Sequence, residues 1–153
     1  MADPGQSIDR TGGRVAESFS RQRLMAHLGA TLRSVRAGEV EIALAFRPEL
    51  TQQHGFLHAA AVTAIADSAC GYAALSVMPE GSSVLSVEFK VNLLAPALGA
   101  MFVATGRVVR AGRTIVVTSG EVQAEAEAGG ERKPILLMQA TMMRVEAIDG
   151  RPG

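Results

Sequence analysis

The feature that most constrains this chain is the stretch from His58 to Val77, in which small apolar residues dominate and alanine is the commonest. Alanine is the best helix former, so this stretch predicts a long helix. A helix that is apolar on nearly all sides must be surrounded by protein. Asp67 near its middle would cost about 2.5–3.5 kcal/mol in a membrane, so we interpret the segment as the buried helix of a soluble domain.

Strand-like runs stand on both sides of this helix. Alternation over residues 40–46 predicts a half-buried strand that pairs with residues 31–36 through the turn at Ala37-Gly38. After Pro79-Glu80-Gly81 stops the helix, short connections separate four further runs, which predicts antiparallel neighbours. These runs are 84–93, 101–110, 114–126 and 134–145.

The run from Val84 to Leu93 alternates most clearly, and we expect one core face and one partly wet face. The expected core face consists of Leu85, Val87, Phe89, Val91 and Leu93, and the expected wet face of Ser86, Glu88, Lys90 and Asn92.

The pattern as a whole predicts an α+β domain in which an antiparallel sheet curls around the central helix. Residues 18–30 are expected to form one short amphipathic helix, begun by Ser18 or Ser20 and ended by Gly29. We predict a flexible segment at 1–17, a single domain at 18–147 and a short polar tail at 148–153.

Composition excludes several classes of function. Fifteen Lys and Arg balance fifteen Asp and Glu, so no overall field attracts nucleic acid or an anionic membrane. Aromatic residues make up 4% of the chain, too few for base-stacking platforms. The single Cys70 excludes an intrachain disulfide and fits a cytoplasmic protein. The phosphate-binding and dinucleotide glycine motifs are missing, so we expect no cofactor.

Asp67 is the acid of the small-residue helix, and its neighbours one turn away, such as Thr63 and Gly71, leave room for a ligand. A carboxylate in such surroundings needs hydrogen-bond donors, and such groups are frequent at active sites. The alternative is structural, with Asp67 bound to an Arg or capping a loop. Spacing alone leaves both open.

The start of the helix offers the second chemical feature. Gly55 permits a tight turn, and the first amides, around His58 to Ala60, have no carbonyl partners within the helix. A helix start is a site for a negative oxygen, so we expect one groove to hold a polarising donor and the Asp67 carboxylate.

Other reactive side chains are interpreted as structural. His54 and His58 have the spacing of metal ligands, but two ligands do not make a site, so no metal is expected and His58 is assigned a capping role. Cys70 is interpreted as a small core residue.

These residues resemble the PaaI-like (phenylacetate-degradation) branch of the hotdog-fold acyl-CoA thioesterases. The resemblance covers about Ala37 to Val145 and implies the hotdog fold, with the sheet wrapped around a long central helix. It rests on Gln52-x-x-Gly55-x-Leu57-His58-Ala59-Ala60, Ile65-Ala66-Asp67, Ser86-Val87-Glu88-Phe89 and Leu94-Ala95-Pro96-Ala97-x-Gly99.

The resemblance also implies a site. Asp67 matches the family's catalytic acid, and Ala59 matches the residue whose backbone N–H polarises the thioester carbonyl. Ser86 matches a serine or threonine that positions water in some members. His58 matches the histidine of the family's His-Gly-Gly element, and Gln52 stands where the family has Asn.

The implied reaction is hydrolysis of an aryl- or medium-chain acyl-CoA to a carboxylate and CoA. Related hotdog proteins leave two alternatives, a non-catalytic acyl-CoA-binding protein and an acyl-chain dehydratase. Hotdog sites usually lie between subunits, so we expect a homodimer or homotetramer in which Ser86 of one chain meets Asp67 of another. Candidate contacts for the CoA phosphates are Lys90, Arg110, Arg113 and Arg132.

Overall fold

The computed structural model describes residues 4–147, with side chains from residue 11 onward, and its main feature is a sheet wrapped around one long helix. This confirms the predicted α+β class and the predicted central helix. The elements in chain order are α1 (Pro4–Ser20), α2 (Arg23–Leu28), β1 (Thr31–Arg36), β2 (Glu39–Ala45), a 3-10 turn (Pro48–Leu50), α3 (Ala59–Ser76), β3 (Ser82–Leu93), β4 (Met101–Ala111), β5 (Ile115–Glu125) and β6 (Arg132–Glu146).

Within residues 4–147, six strands form one antiparallel sheet in the order β1-β2-β4-β5-β6-β3. The predicted hairpin through Ala37-Gly38 is confirmed. The expectation that β3 lies beside β4 is wrong, because β3 pairs with β6. The connection between β3 and β4 instead contacts the segment that precedes α3. There the carbonyl of the buried Ala97 accepts a hydrogen bond from the Leu57 N–H at 3.1 Å.

The helix α3 lies in the hollow of this sheet and is buried along most of its length. It has the length and hydropathy of a membrane span, but 67% of it is buried inside the domain. Strand glycines let the sheet approach closely: a Cβ on Gly106 would lie 2.3 Å from the Ala69 backbone. Small residues in α3 and in the strands therefore allow the helix and the sheet to pack in close contact.

The predicted faces of β3 are corrected by a bulge at Val87, where the pairing with β6 shifts between Ser86 and Glu88. Ser86 pairs with the buried Met142 and Phe89 with the buried Ala140, so these two side chains share the inner face. Because β3 is also a sheet edge, Leu85, Val87, Phe89 and Leu93 remain 46–57% exposed in the single chain.

The N-terminal prediction is also corrected. Residues 18–30 do not form one helix: α1 ends at Ser20, and α2 begins at Arg23 with Gln22 as its N-cap. Ser18 and Ser20 therefore close α1 and do not begin a helix. Gly29, with φ 76°, ends α2 as predicted.

The last turns of α1 are tied to the domain, although they lie in the segment predicted to be flexible. Val15 is fully buried, and the Arg14 guanidinium donates to the Leu75, Met78 and Pro79 carbonyls at the end of α3. The boundaries at 17/18 and 147/148 stay predictions. Residues 1–3 and the tail at 148–153 lie outside the described residues.

Candidate active site

The start of α3 leaves one backbone donor free. His58 is the N-cap, and its Nδ1 accepts the Ala60 N–H at 2.9 Å, which confirms its predicted capping role. The His58 N–H donates to the Leu50 carbonyl at 2.8 Å, and the Ala61 N–H donates to the His58 carbonyl at 2.9 Å. Among the described residues, no acceptor contacts the N–H of Ala59. Ala59 borders a cavity, so a free backbone donor lies beside a space that a ligand could occupy.

Asp67 lies eight residues further along the helix, half-buried on the same cavity. Its Oδ1 accepts a hydrogen bond from the Ser86 hydroxyl at 2.7 Å. No Lys, Arg or His of the described chain forms a salt bridge with it, so the arginine-bound alternative is wrong for the single chain. The hydroxyl of Ser86, a neutral donor, orients this carboxylate.

Ser86 reaches Asp67 within one chain, and this corrects the expectation that the strand supplies Ser86 to another subunit's acid. The bulge at Val87 makes the contact possible, because it places Ser86 on the inner face of β3. The same hydroxyl lies 3.4 Å from the Met142 sulfur, which holds it between sheet and helix.

The cavity has a volume of about 1000 Å³ and follows one face of α3. On the helix its lining residues recur at each turn, with β3 on one side and α1 and α2 on the other. The helix contributes Ala59, Ala60, Thr63, Ala64, Asp67, Ser68, Gly71, Tyr72 and Leu75, and β3 contributes Val84, Leu85, Ser86 and Phe89 among others.

One wall of this cavity was not foreseen from the sequence. The Gln22 side-chain amide donates to the Tyr72 hydroxyl at 2.9 Å and accepts from the Ser68 hydroxyl at 3.3 Å. The Tyr72 ring also packs edge-on against Phe19, with centroids 5.9 Å apart. These contacts fix the junction of α1 and α2 beside the groove. The single tyrosine, one turn after Ser68 in an alanine helix, is the sequence signal that could have indicated it.

The free amide and the acid are too far apart to serve one carbonyl within one chain. Eight residues of α-helix rise about 12 Å, whereas an oxyanion donor must lie about 2.7–3.1 Å from the oxygen. Both groups nevertheless border one cavity, as the sequence predicts, and the rise of the helix separates them along it.

The other predicted residues lie outside the cavity of the single chain. Gln52 serves its own loop, since its side-chain oxygen accepts the His54 N–H and its carbonyl accepts the Gly55 N–H at 3.0 Å. Gly55 has φ 82° and makes the predicted turn. Lys90, Arg110 and Arg113 are exposed on β3 and around the β4–β5 turn, and their contact with CoA stays a prediction.

Arg132, also considered for CoA, is engaged inside the fold. It binds the buried Glu125 at 2.8 Å and Glu41 at 3.4 Å. The hydrogen bond that Arg132 donates to Glu125 raises the pKa of this guanidinium. The pKa of Glu125 is lowered, chiefly by the hydrogen bond from the Gly129 N–H and also by Arg132. This pair stabilises the β5–β6 connection.

Cys70 is confirmed as a core residue. It is fully buried, and desolvation raises the pKa of its thiol to about 11, with a smaller contribution from the charge of Asp67. The thiolate needed for nucleophilic catalysis is therefore not available near neutral pH.

Comparison with known proteins places these features in a family. The family described as the thioesterase superfamily matches residues 54–130, from the turn before α3 into the β5–β6 connection. A thioesterase family protein of Silicibacter pomeroyi is 46% identical, with a TM-score of 0.83 over 88% of this chain and 97% of that one. The PaaI protein of the E. coli phenylacetic acid degradation operon is 18% identical, with a TM-score of 0.80 over 92% and 97% of the two chains. A candidate esterase of Saccharolobus solfataricus is 26% identical over 79% of this chain and 81% of its own.

Proposed function

Because this chain belongs to the thioesterase superfamily and is a thioester hydrolase with the hotdog fold, we propose that it hydrolyses an aryl- or medium-chain acyl-CoA. One observation carries the proposal: the half-buried Asp67 carboxylate borders a cavity and is bound by a neutral hydroxyl and by no cation of the described chain. Such a carboxylate is free to act on water or on a carbonyl.

The chemistry follows from the two groups at the cavity. The Ala59 N–H donates to the thioester oxygen and stabilises the negative charge that develops there, which is worth about 10²–10³ in rate. As a general base, Asp67 takes a proton from water while the oxygen of that water bonds to the carbonyl carbon. The C–S bond then breaks, and CoA leaves as a thiol with the proton that Asp67 held. As a nucleophile, Asp67 would bond to the carbonyl carbon and expel CoA as a thiolate, which breaks the C–S bond and leaves an acyl anhydride. Water then opens the anhydride to the free acid and the Asp67 carboxylate, and a proton from that water passes to the CoA thiolate.

The alanine that replaces the family's glycine is compatible with this role. His58 and the residues after it adopt ordinary backbone angles, and no non-glycine residue of the described chain has a positive φ. The N–H of Ala59 is therefore presented as it would be by glycine.

The separation of about 12 Å along α3 supports a site shared by two chains. The Ala59 amide of one subunit would meet the Asp67 and Ser86 of the other. The apolar side chains of the β3 edge, 46–57% exposed in the single chain, supply a surface for such a homodimer. A homotetramer of two such pairs, the cytoplasmic location and the CoA contacts of Lys90, Arg110 and Arg113 belong to the same proposal.

The test is release of free thiol from a panel of acetyl-, hexanoyl-, octanoyl-, benzoyl- and phenylacetyl-CoA. We expect Asp67→Asn to lower kcat by about 10³-fold or more, with little change in stability, because the amide keeps the shape and the Ser86 contact. Glu121→Gln is the matched control, since this carboxylate also accepts a hydrogen bond from a neutral side chain, the Gln123 amide at 3.0 Å, but lies on β5 outside the cavity.

Two outcomes would overturn the proposal. Wild-type protein that releases thiol from none of the esters, but binds one of them intact in a native mass spectrum, would be an acyl-CoA-binding protein. Equal rates for Asp67→Asn and wild type would remove Asp67 from the mechanism.

A further inference from the structure

Gly71 lies one helical turn beyond Asp67 and borders the same cavity. It is flanked by Ala69, Cys70, Tyr72 and Ala73 in a helix otherwise rich in alanine. Glycine weakens the interior of a helix relative to alanine, because it loses more conformational freedom on folding. A glycine at this position therefore needs a reason that outweighs its cost.

The local backbone does not supply this reason. Gly71 is helical and is not among the described glycines with positive φ. A Cβ built on it would have the Val84 Cγ1 atom of β3, at 4.0 Å, as its nearest neighbour, which is ordinary van der Waals contact. Alanine would thus fit without strain. Gly106 and Gly120 differ, since a Cβ there would lie 2.3 Å from Ala69 and 2.8 Å from the Cys70 sulfur.

That same contact shows what a side chain at residue 71 would do. A methyl group there would project into the cavity, with Val84 at 4.0 Å as its nearest neighbour among the described residues, and would narrow the groove one turn from Asp67. Glycine leaves this space to the cavity.

We propose that Gly71 is a specificity-determining residue, which keeps the groove wide enough beside Asp67 for a ring-bearing acyl group. The inference rests on the proposed acyl-CoA hydrolysis. A side chain at residue 71 should therefore slow the hydrolysis of esters with a wide acyl group and leave the hydrolysis of esters with a slim, unbranched acyl group nearly unaffected.

The experiment compares phenylacetyl-CoA with octanoyl-CoA, which has the same number of acyl carbons in an unbranched chain. We expect Gly71→Ala to lower the ratio of kcat/KM for phenylacetyl over octanoyl by about tenfold, and Gly71→Val to lower it further. Gly71→Ala is also expected to raise Tm by about 2–4 °C, because alanine favours the helix.

Gly13→Ala is the matched control, because Gly13 is a helical glycine of α1 with open space around it and no place in the cavity. It should leave the substrate ratio unchanged. An unchanged ratio in both Gly71 variants, with folded protein, would overturn the inference.

A second readout separates this inference from the proposed function. In the Asp67→Asn background, calorimetry measures the Kd of both CoA esters without turnover. A selective loss of phenylacetyl-CoA affinity on Gly71→Ala supports the groove assignment even if wild type hydrolyses neither ester, which would overturn only the proposed function. Equal weakening of both esters would overturn the assignment of Gly71.

Discussion

The two sides of α3 use small residues for opposite purposes. On the sheet side, Gly106 and Gly120 let the strands come so close that a Cβ on either would collide with Ala69 or Cys70. On the groove side, a Cβ on Gly71 would meet nothing closer than 4.0 Å, and a cavity of about 1000 Å³ separates the helix from its neighbours. Small side chains close a gap on one side and keep one open on the other. Stability should therefore depend on the first side, and catalysis on the second.

After Asp67→Asn, the largest effect is expected at the first residue of α3, from Ala59→Pro. Proline removes the N–H of residue 59, and we expect kcat to fall by about 10²–10³-fold in the thiol-release assay. The fold should tolerate the change, because proline is favoured at the first helical position and His58, at φ −63° and ψ 139°, already has the angles required before proline.

Ala59→Ser is the control for this prediction, since it adds a side chain of similar reach but keeps the amide. Full activity in Ala59→Pro would mean that another donor polarises the carbonyl.

On the sheet side, Gly106→Ala should act on stability. Its methyl group would meet the Ala69 backbone at 2.3 Å, so the sheet must move, and we expect the free energy of unfolding to fall by about 3 kcal/mol. Urea denaturation measures this change. An unchanged midpoint would show that helix and sheet are not in close contact, and the comparison between the two sides would fail.

Ser86→Ala should have a smaller effect, again on catalysis. Its hydroxyl orients Asp67 at 2.7 Å, and we expect its loss to lower kcat about tenfold with little change in KM. Ser86→Thr keeps the hydroxyl and should restore most of the rate. If threonine fails while alanine is active, the hydroxyl has no positioning role.

The smallest effect is expected from Cys70→Ala, which should leave kcat unchanged and lower stability by about 1 kcal/mol at neutral pH. Burial raises the pKa of this thiol from 9.0 to about 11 in the folded chain. The part of the free energy of unfolding that the buried, neutral thiol contributes is therefore fully present below pH 9.0 and is lost as the pH rises toward about 11. Unfolding measured over this range should show a steeper fall for wild type than for Cys70→Ala. Parallel curves would contradict the burial of the thiol.

The central part of the fold was predictable because its signals are local. The alanine run specifies α3, and the Ala37-Gly38 turn specifies the first hairpin. The capping role of His58 follows from the same rules for a helix start. The pairing of β3 with β6 was not predictable, because it joins residues far apart in the chain.

The site was predicted in its parts and missed in its geometry. Asp67 and the amides at the start of α3 follow from residue type and position. The Ser86 side chain lies on the inner face of β3 because of a one-residue bulge at Val87. The alternation of residue types in the sequence predicts a regular strand there and gives no sign of the bulge. The wall formed by Gln22 and Tyr72 depends on how α1 and α2 dock, and no periodic pattern records that.

The most direct test of the account uses two inactive variants together. Asp67→Asn and Ala59→Pro chains, co-expressed with different tags and purified in tandem, form a mixed dimer in which one site holds an intact acid and an intact donor. A shared site predicts about half the wild-type activity per dimer, although each variant alone is inactive. A mixed dimer as inactive as its parents would show that both groups act from one chain, and would contradict the account.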